Sequence, residues 1–114
     1  MIQLIYKILP RAEWRAAEAA AVFGGSGIDL EDGFIHFSTA TQVKETAAKH
    51  FAGQSDLVQV AIEAERLGPA LKWEPSRGGA LFPHLYGSFP TREALWVRPL
   101  PLGPDGNHVF PSLA

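Results

Sequence analysis

Alternating apolar and polar residues predict β-strands in both halves of the chain. The segment 2–9 alternates with Gln3 and Lys7 on its polar side, and the segment 57–63 repeats the pattern with Gln59 on its polar side. The apolar faces comprise Ile2, Leu4, Tyr6 and Ile8 in the first segment and Val58, Val60 and Ile62 in the second. Each apolar face is expected to cover a hydrophobic core.

Helical spacing replaces this alternation in two segments of the first half. Residues 11–23 are rich in alanine and follow Pro10, which suits the first turn of a helix. Residues 40–51 form a second predicted helix, capped by Ser38 or Thr39. The expected buried faces comprise Ala12, Ala16, Ala19 and Phe23 in the first helix and Val43, Ala47 and Phe51 in the second. A glycine-rich loop from residue 24 to residue 33 separates the first helix from the next strand, 34–38.

Short strands and turns are predicted for the second half. The expected strands span 71–74, 84–86 and 94–97, a helical turn spans 91–93, loops span 66–69 and 75–83, and residues 99–114 form an irregular surface tail. Two early helices followed by several strands predict an α+β fold with an antiparallel or mixed sheet. We expect residues 1–114 to form a single domain.

Composition narrows the functional classes. The 114 residues are 46% hydrophobic, which is sufficient for a core, and carry a formal net charge of −2. Nucleic acid binding through a broad basic surface is therefore not expected. No apolar run is long enough to cross a bilayer, and the absence of cysteine excludes disulfides, thiolate metal sites and a cysteine nucleophile. These observations predict a cytoplasmic protein with a small-molecule partner.

The first candidate site lies where a strand is expected to meet a helix. His36 and Ser38 share one face of the predicted strand, and Thr39 follows at the helix start. The imidazole and the hydroxyls could hold a ligand that carries phosphate or carboxylate, because helix N-termini favour anions. The alternative is a polar strand end followed by an ordinary helix cap.

The second candidate site is the loop that follows the predicted strand 71–74. Trp73 offers a stacking plane, Glu74 a carboxylate, and Arg77 a planar donor for phosphate or carboxylate. The glycines that follow, Gly78 and Gly79, would let the backbone approach a ligand closely. The alternative is an ordinary loop with one buried tryptophan.

The third candidate pair is His84 and Tyr86, which share a strand face and have apolar bodies with polar tips. The alternative is a satisfied core histidine beside a half-buried tyrosine. A metal site could be assembled from His36, His84 and Glu74, but the chain has no metal-binding spacing of the His-x-His or His-Glu-x-x-His type. We therefore predict no metal ligands.

Three blocks of sequence resemble a family of bacterial proteins, the domain of unknown function 952. They read IYKI at 5–8, DGFIHFST at 32–39 and WEPSRGGALFPHLYG at 73–87. The family is similar to a small relative of the ADP-ribosyltransferase fold. The strand IHFS at 35–38, followed by a helix, resembles the VHLS strand of RNA 2'-phosphotransferases, which act on NAD. Lys7 stands where those transferases often place histidine.

The resemblance implies roles for the candidate residues. Glu74 and His36 would be catalytic, with Glu74 stabilising an oxocarbenium-like state of ribose. The implied ligand contacts are Lys7, Ser38, Thr39, Trp73, Arg77, His84 and Tyr86, and NAD is the implied cofactor. Three functions remain open at this point: a binding module for a nucleotide or another small ligand, an active ADP-ribosyl or 2'-phosphotransferase-like enzyme, and a protein interaction module. The interaction module would use Trp73, Phe82 and Tyr86 as an exposed aromatic patch.

Overall fold

The computed structural model describes residues 2–111, and of Arg77 it describes the backbone alone. The strands are β1 (Leu4–Pro10), β2 (Val22–Phe23), β3 (Ile35–His36), β4 (Leu57–Glu63), β5 (Leu71–Pro75), β6 (Leu81–Leu85), β7 (Phe89–Pro90) and β8 (Ala94–Leu100). The helices are α1 (Arg11–Ala20), α2 (Ile28–Asp32) and α3 (Val43–His50). Three segments of 3-10 helix span Ala64–Ala70, Arg77–Gly79 and Thr91–Glu93 among the described residues. The α+β class is confirmed.

All strand pairs among the described residues are antiparallel. One sheet has the strand order β1-β4-β8, a second has the order β3-β6-β5, and β2 pairs with β7. Tyr6 of β1 and Ser38, just past β3, form an isolated bridge between the two three-stranded sheets. Among residues 2–111, this is the one backbone bridge between the two sheets.

The first sheet is buried on both faces. Ile5 and Leu9 pack with Val58, Val60 and Ile62 on one side, and Tyr6 and Ile8 pack with the cluster that α3 covers on the other. Lys7 and Gln59, which the alternation places on the polar sides of their strands, are both buried. Alternation marks a half-buried strand, and a sheet covered on both sides buries its polar members too.

The first helix ends earlier than predicted and buries another face. Ala21 adopts a left-handed conformation with φ 65°, which ends α1, and the next two residues form β2 instead. Trp14 and Ala17 are its buried residues, in place of the alanines that the spacing suggested. Trp14 packs against the Phe23 ring at 5.8 Å, so the largest apolar side chain determines which face turns inward.

Four further elements differ from the predictions. The loop 24–33 contains α2, and α3 begins at Val43, three residues later than expected. Strand β6 begins at Leu81 and ends at Leu85, so Tyr86 lies just beyond it. Strand β8 reaches Leu100, whose side chain is fully buried, so the predicted tail begins inside the sheet. The last residues of that tail, 112–114, lie outside the described part.

Candidate functional site

A cavity of about 550 Å³ opens where β1 parts from β3. The two strands touch at Tyr6 and Ser38, whose backbone N–H and C=O groups exchange hydrogen bonds of 2.8 and 2.9 Å. From that point the cavity follows β1 as far as Pro10. The backbone N–H and C=O groups of successive residues point to opposite edges of a strand. The groups of Ile8 therefore point to the same edge as those of Tyr6, toward the cavity. The separation of the two strands therefore leaves room for the cavity and directs backbone polar groups of β1 into it.

Asp29 of α2 organises one wall of the cavity. Its Oδ2 accepts hydrogen bonds from Lys7 Nζ at 2.6 Å and Ser26 N at 3.0 Å. Its Oδ1 accepts from His36 Nδ1 at 2.7 Å and from His36 N at 3.1 Å. Burial raises the pKa of Asp29, but the hydrogen bonds from His36 and the charge of Lys7 outweigh it and hold that pKa below its usual value. Asp29 is therefore ionised at neutral pH.

Lys7 is buried and paired. Its Nζ donates to the carbonyl oxygen of His36 at 3.1 Å besides its ion pair with Asp29. Burial lowers the pKa of Lys7, and the adjacent Asp29 carboxylate opposes that shift. The carboxylate balances the charge of the amine, so Lys7 does not act as an open cation for phosphate.

His36 is held between two carboxylates. Its Nδ1 contacts Asp29, and its Nε2 lies 3.0 Å from Oδ2 of Asp32. Both ring nitrogens are thus engaged by carboxylate oxygens of the protein itself, which favours a structural role for His36.

A second polar cluster lies on the same face of the sheet β3-β6-β5. His36 pairs with His84 in register, and the ring of Phe34 stacks on His84 at 4.3 Å. His84 Nδ1 and Tyr86 OH each lie 2.8 Å from Oε1 of Glu74. The hydrogen bonds from His84 and Tyr86 lower the pKa of Glu74. The hydrogen bond between Tyr86 and Glu74 raises the pKa of Tyr86. Glu74 is therefore a carboxylate at neutral pH.

The structure brings some of the predicted residues together and separates others. Of those it describes, Lys7, His36, Ser38 and His84 line the cavity, whereas Thr39, Trp73, Glu74 and Tyr86 do not. Glu74 and Tyr86 reach the cavity wall through His84. Trp73 pairs with Pro83 and lies on the opposite face of the sheet from Glu74. The Arg77 side chain lies outside the described part of the chain.

Ser38 and Thr39 hold the turn that leads into α3. Ser38 Oγ lies 2.7 Å from Thr46 Oγ1 of that helix, at the cavity wall. Thr39 N donates to Gln42 Oε1 at 3.0 Å, and the Thr39 hydroxyl lies 3.1 Å from that of Thr41. Of the two hydroxyls, that of Ser38 is the one placed for a ligand.

The sequence did not reveal the acidic members of the wall. Asp29 and Asp32 lie on α2, a short helix within a predicted loop, and Glu13 of α1 contacts Ser26 at the same wall. The available signal was Lys7 itself, because a lysine between apolar strand residues requires a buried counter-charge. Within residues 2–111, no group of three or more acidic, histidine or cysteine side chains is arranged to hold a metal ion.

Comparison with known proteins gives a family and a fold. Residues 8–97 match the family described as "Protein of unknown function (DUF952)". The crystal structure of protein CC0527 from Caulobacter crescentus is 57% identical to this chain, covers 93% of each chain and superposes with a TM-score of 0.89. The solution NMR structure of CC0527 is 58% identical, covers 91% of this chain and 90% of the other, and has a TM-score of 0.82. No curated protein matches the chain. Among the described residues, no helix is both long and apolar enough to span a membrane.

Proposed function

The chain belongs to the DUF952 family of proteins of unknown function, and we propose that the cavity along β1 binds a nucleotide, with NAD as the first candidate. The observation that carries this proposal is the position of the cavity, beside the Tyr6–Ser38 bridge that links the two sheets within residues 2–111. Its volume of about 550 Å³ lies within the range of small-molecule sites.

The lining of the cavity supports a ligand with a flat ring and hydroxyl groups. Ile8, Phe37 and Phe82 supply apolar surface, and Ser38 and His84 supply polar tips. Such a mixture of apolar walls and a few polar groups is typical of cofactor pockets. The backbone groups of Ile8 would pair with an amide such as that of nicotinamide.

The charges of the wall favour the nicotinamide–ribose end of NAD over its phosphates. Glu13, Asp29 and Asp32 line the cavity together with Lys7, whose charge Asp29 balances. Carboxylates repel phosphate, attract the positively charged nicotinamide ring and accept hydrogen bonds from ribose.

A transferase-like enzyme is the second candidate. The ionised Glu74 supports it, because a carboxylate can stabilise an oxocarbenium-like ribose, but Glu74 lies outside the cavity lining and reaches the wall through His84. Both hydrogen bonds to this carboxylate reach the same oxygen, Oε1, and neither engages Oε2. The pairing of Lys7 with Asp29 argues against catalysis in the manner usual for that fold, because the charge of Lys7 is already balanced. Release of nicotinamide from NAD, followed by chromatography, separates an enzyme from a binding module.

The interaction module has less support. Trp73 and Tyr86 are partly exposed, but Phe82 is buried and lines the cavity. Trp73 and Tyr86 lie on opposite faces of their sheet, so the three side chains do not form one continuous surface.

Isothermal titration calorimetry with NAD tests the proposal. The wild type is expected to bind, and Ser38→Ala and His36→Ala are expected to weaken the affinity about tenfold or more, or 1.4 kcal/mol. Lys49→Ala, on the exposed face of α3, is the matched control and should bind as the wild type does. No heat with the wild type, or equal affinities in all four proteins, would remove NAD from the account.

A further inference from the structure

The two histidines on the cavity wall differ in how many of their ring nitrogens are engaged by other residues. His36 has both ring nitrogens against carboxylates. His84 has Nδ1 against Glu74 Oε1, and among the described residues no hydrogen-bond partner lies against its Nε2. His84 is nevertheless only 5% exposed and lines the cavity. His84 Nε2 is not among the fully enclosed unpartnered atoms of the described residues, which fits an atom at the cavity surface that is placed for a ligand.

The direction of the His84 ring follows from its neighbours. Glu74 lies on β5, at the outer edge of the sheet, and holds Nδ1 on that side. We infer that Nε2, on the other side of the ring, points toward β3 and the cavity that His84 lines. Phe34 stacks on the ring at an interplanar angle of 29° and fixes its plane. The carboxylate requires a proton on Nδ1, so the neutral ring presents a lone pair at Nε2.

We propose that His84 is the proton acceptor of the cavity, that it takes its ligand through a hydroxyl group, and that Glu74 is the residue that positions it. This proposal rests on the proposed function in that a nucleotide ribose is the hydroxyl-bearing ligand. When the proton is transferred, the ligand O–H bond breaks, an Nε2–H bond forms, and the ligand oxygen keeps the electron pair. The Glu74 carboxylate balances the charge of the resulting imidazolium.

The proposal changes the roles that the sequence suggested. His36 was the expected catalytic histidine, and His84 a ligand contact. In this arrangement His84 makes the contact that moves a proton, while His36 ties the wall together through Asp29 and Asp32. Tyr86 donates to the same oxygen of Glu74 and so fixes the carboxylate that orients His84.

The tautomer of His84 tests the geometry without any ligand. Two-bond proton–nitrogen NMR spectra, recorded across a pH series, should show the neutral form of His84 protonated at Nδ1 and bare at Nε2. Glu74→Ala removes the acceptor and should shift the tautomer toward Nε2–H, whereas Lys49→Ala, the matched surface control, should leave it at Nδ1–H. A wild-type ring protonated at Nε2, or a tautomer unchanged by Glu74→Ala, would overturn the proposal.

Chemical modification tests whether Nε2 is open to the cavity. Diethyl pyrocarbonate reacts at an unprotonated imidazole nitrogen, and peptide mass mapping locates the product. We expect His84 to react faster than His36 in the folded wild type, and NAD to protect it. Faster reaction at His36 would overturn the assignment of His84. Faster reaction at His84 with no NAD binding by calorimetry would uphold His84 as the open acceptor and overturn the choice of NAD.

Discussion

Replacing Asp29 by asparagine should destabilise the protein far more than its small change in shape suggests. Each carboxylate oxygen of Asp29 accepts two donors, Lys7 Nζ and Ser26 N at Oδ2 and the two His36 nitrogens at Oδ1. An asparagine can present an oxygen to one of these pairs only. Its NH2 group then faces donors, and Lys7 loses its counter-charge inside the protein.

The expected loss follows from the burial of the pair. The side chains of Lys7 and Asp29 are 7% and 1% exposed. Removing one partner of a buried ion pair costs about 3–5 kcal/mol, because the other charge remains uncompensated. Domains of this size have about 5–15 kcal/mol of unfolding free energy. Asp29→Asn should therefore lower the melting temperature by roughly 10–20 °C.

Urea unfolding, followed by circular dichroism, measures this loss. Asp32→Asn is the matched control, since Asp32 contacts the same histidine from the surface and its loss should cost less than about 1 kcal/mol. The double variant Lys7→Met/Asp29→Asn should recover part of the stability, because it also removes the stranded charge. Equal losses for Asp29→Asn and Asp32→Asn would refute the view that Asp29 anchors the cavity wall.

Three further outcomes are expected. Because the pKa of Asp29 is lowered in the folded state, its ionisation contributes stability above the unfolded-state pKa of about 3.9. This contribution is lost as pH falls through the lower folded-state pKa. Urea midpoints across the acid range should therefore fall steeply for the wild type and less for Asp29→Asn. Gln59→Met should leave the unfolding free energy unchanged or raise it by about 1–3 kcal/mol. The reason is that both amide atoms of this fully buried residue lack a hydrogen-bond partner among the described residues. A loss of stability would show that the amide is hydrogen-bonded. Gly25→Ala should lower the melting temperature, because φ is +125° there and an added Cβ would lie 3.1 Å from the Asp29 Cβ; an unchanged melting temperature would contradict this.

Most of the long elements could be predicted from the sequence, and so could short ones with a local signal, such as β5 and the 3-10 turn Thr91–Glu93, whereas β2 and α2 could not. Strands β1 and β4 and helix α1 carry enough periodic residues to identify them, although β8 was found only in part. Strand β2 has two residues and exists because it pairs with β7, a tertiary contact that no local pattern contains. Helix α2 has five residues and lies in a segment dominated by loop signals.

The types of residue at the site could be predicted, but their arrangement could not. His36 and His84 meet because β3 and β6 pair in a particular register, which is fixed by the hydrophobic faces of both strands. Asp29 was missed because a buried carboxylate is recognised only through its partner. The opposite directions of Trp73 and Glu74, by contrast, follow from strand alternation alone and could have been predicted.

Nuclear magnetic resonance titration of the nitrogen-labelled protein with NAD tests the central claim most directly. The account predicts that the backbone amide signals of Ile8, Ser38 and His84 shift together and saturate with one affinity. Signals unchanged at every concentration of NAD, or shifts confined to the distant groove between α3 and Phe110, would contradict it.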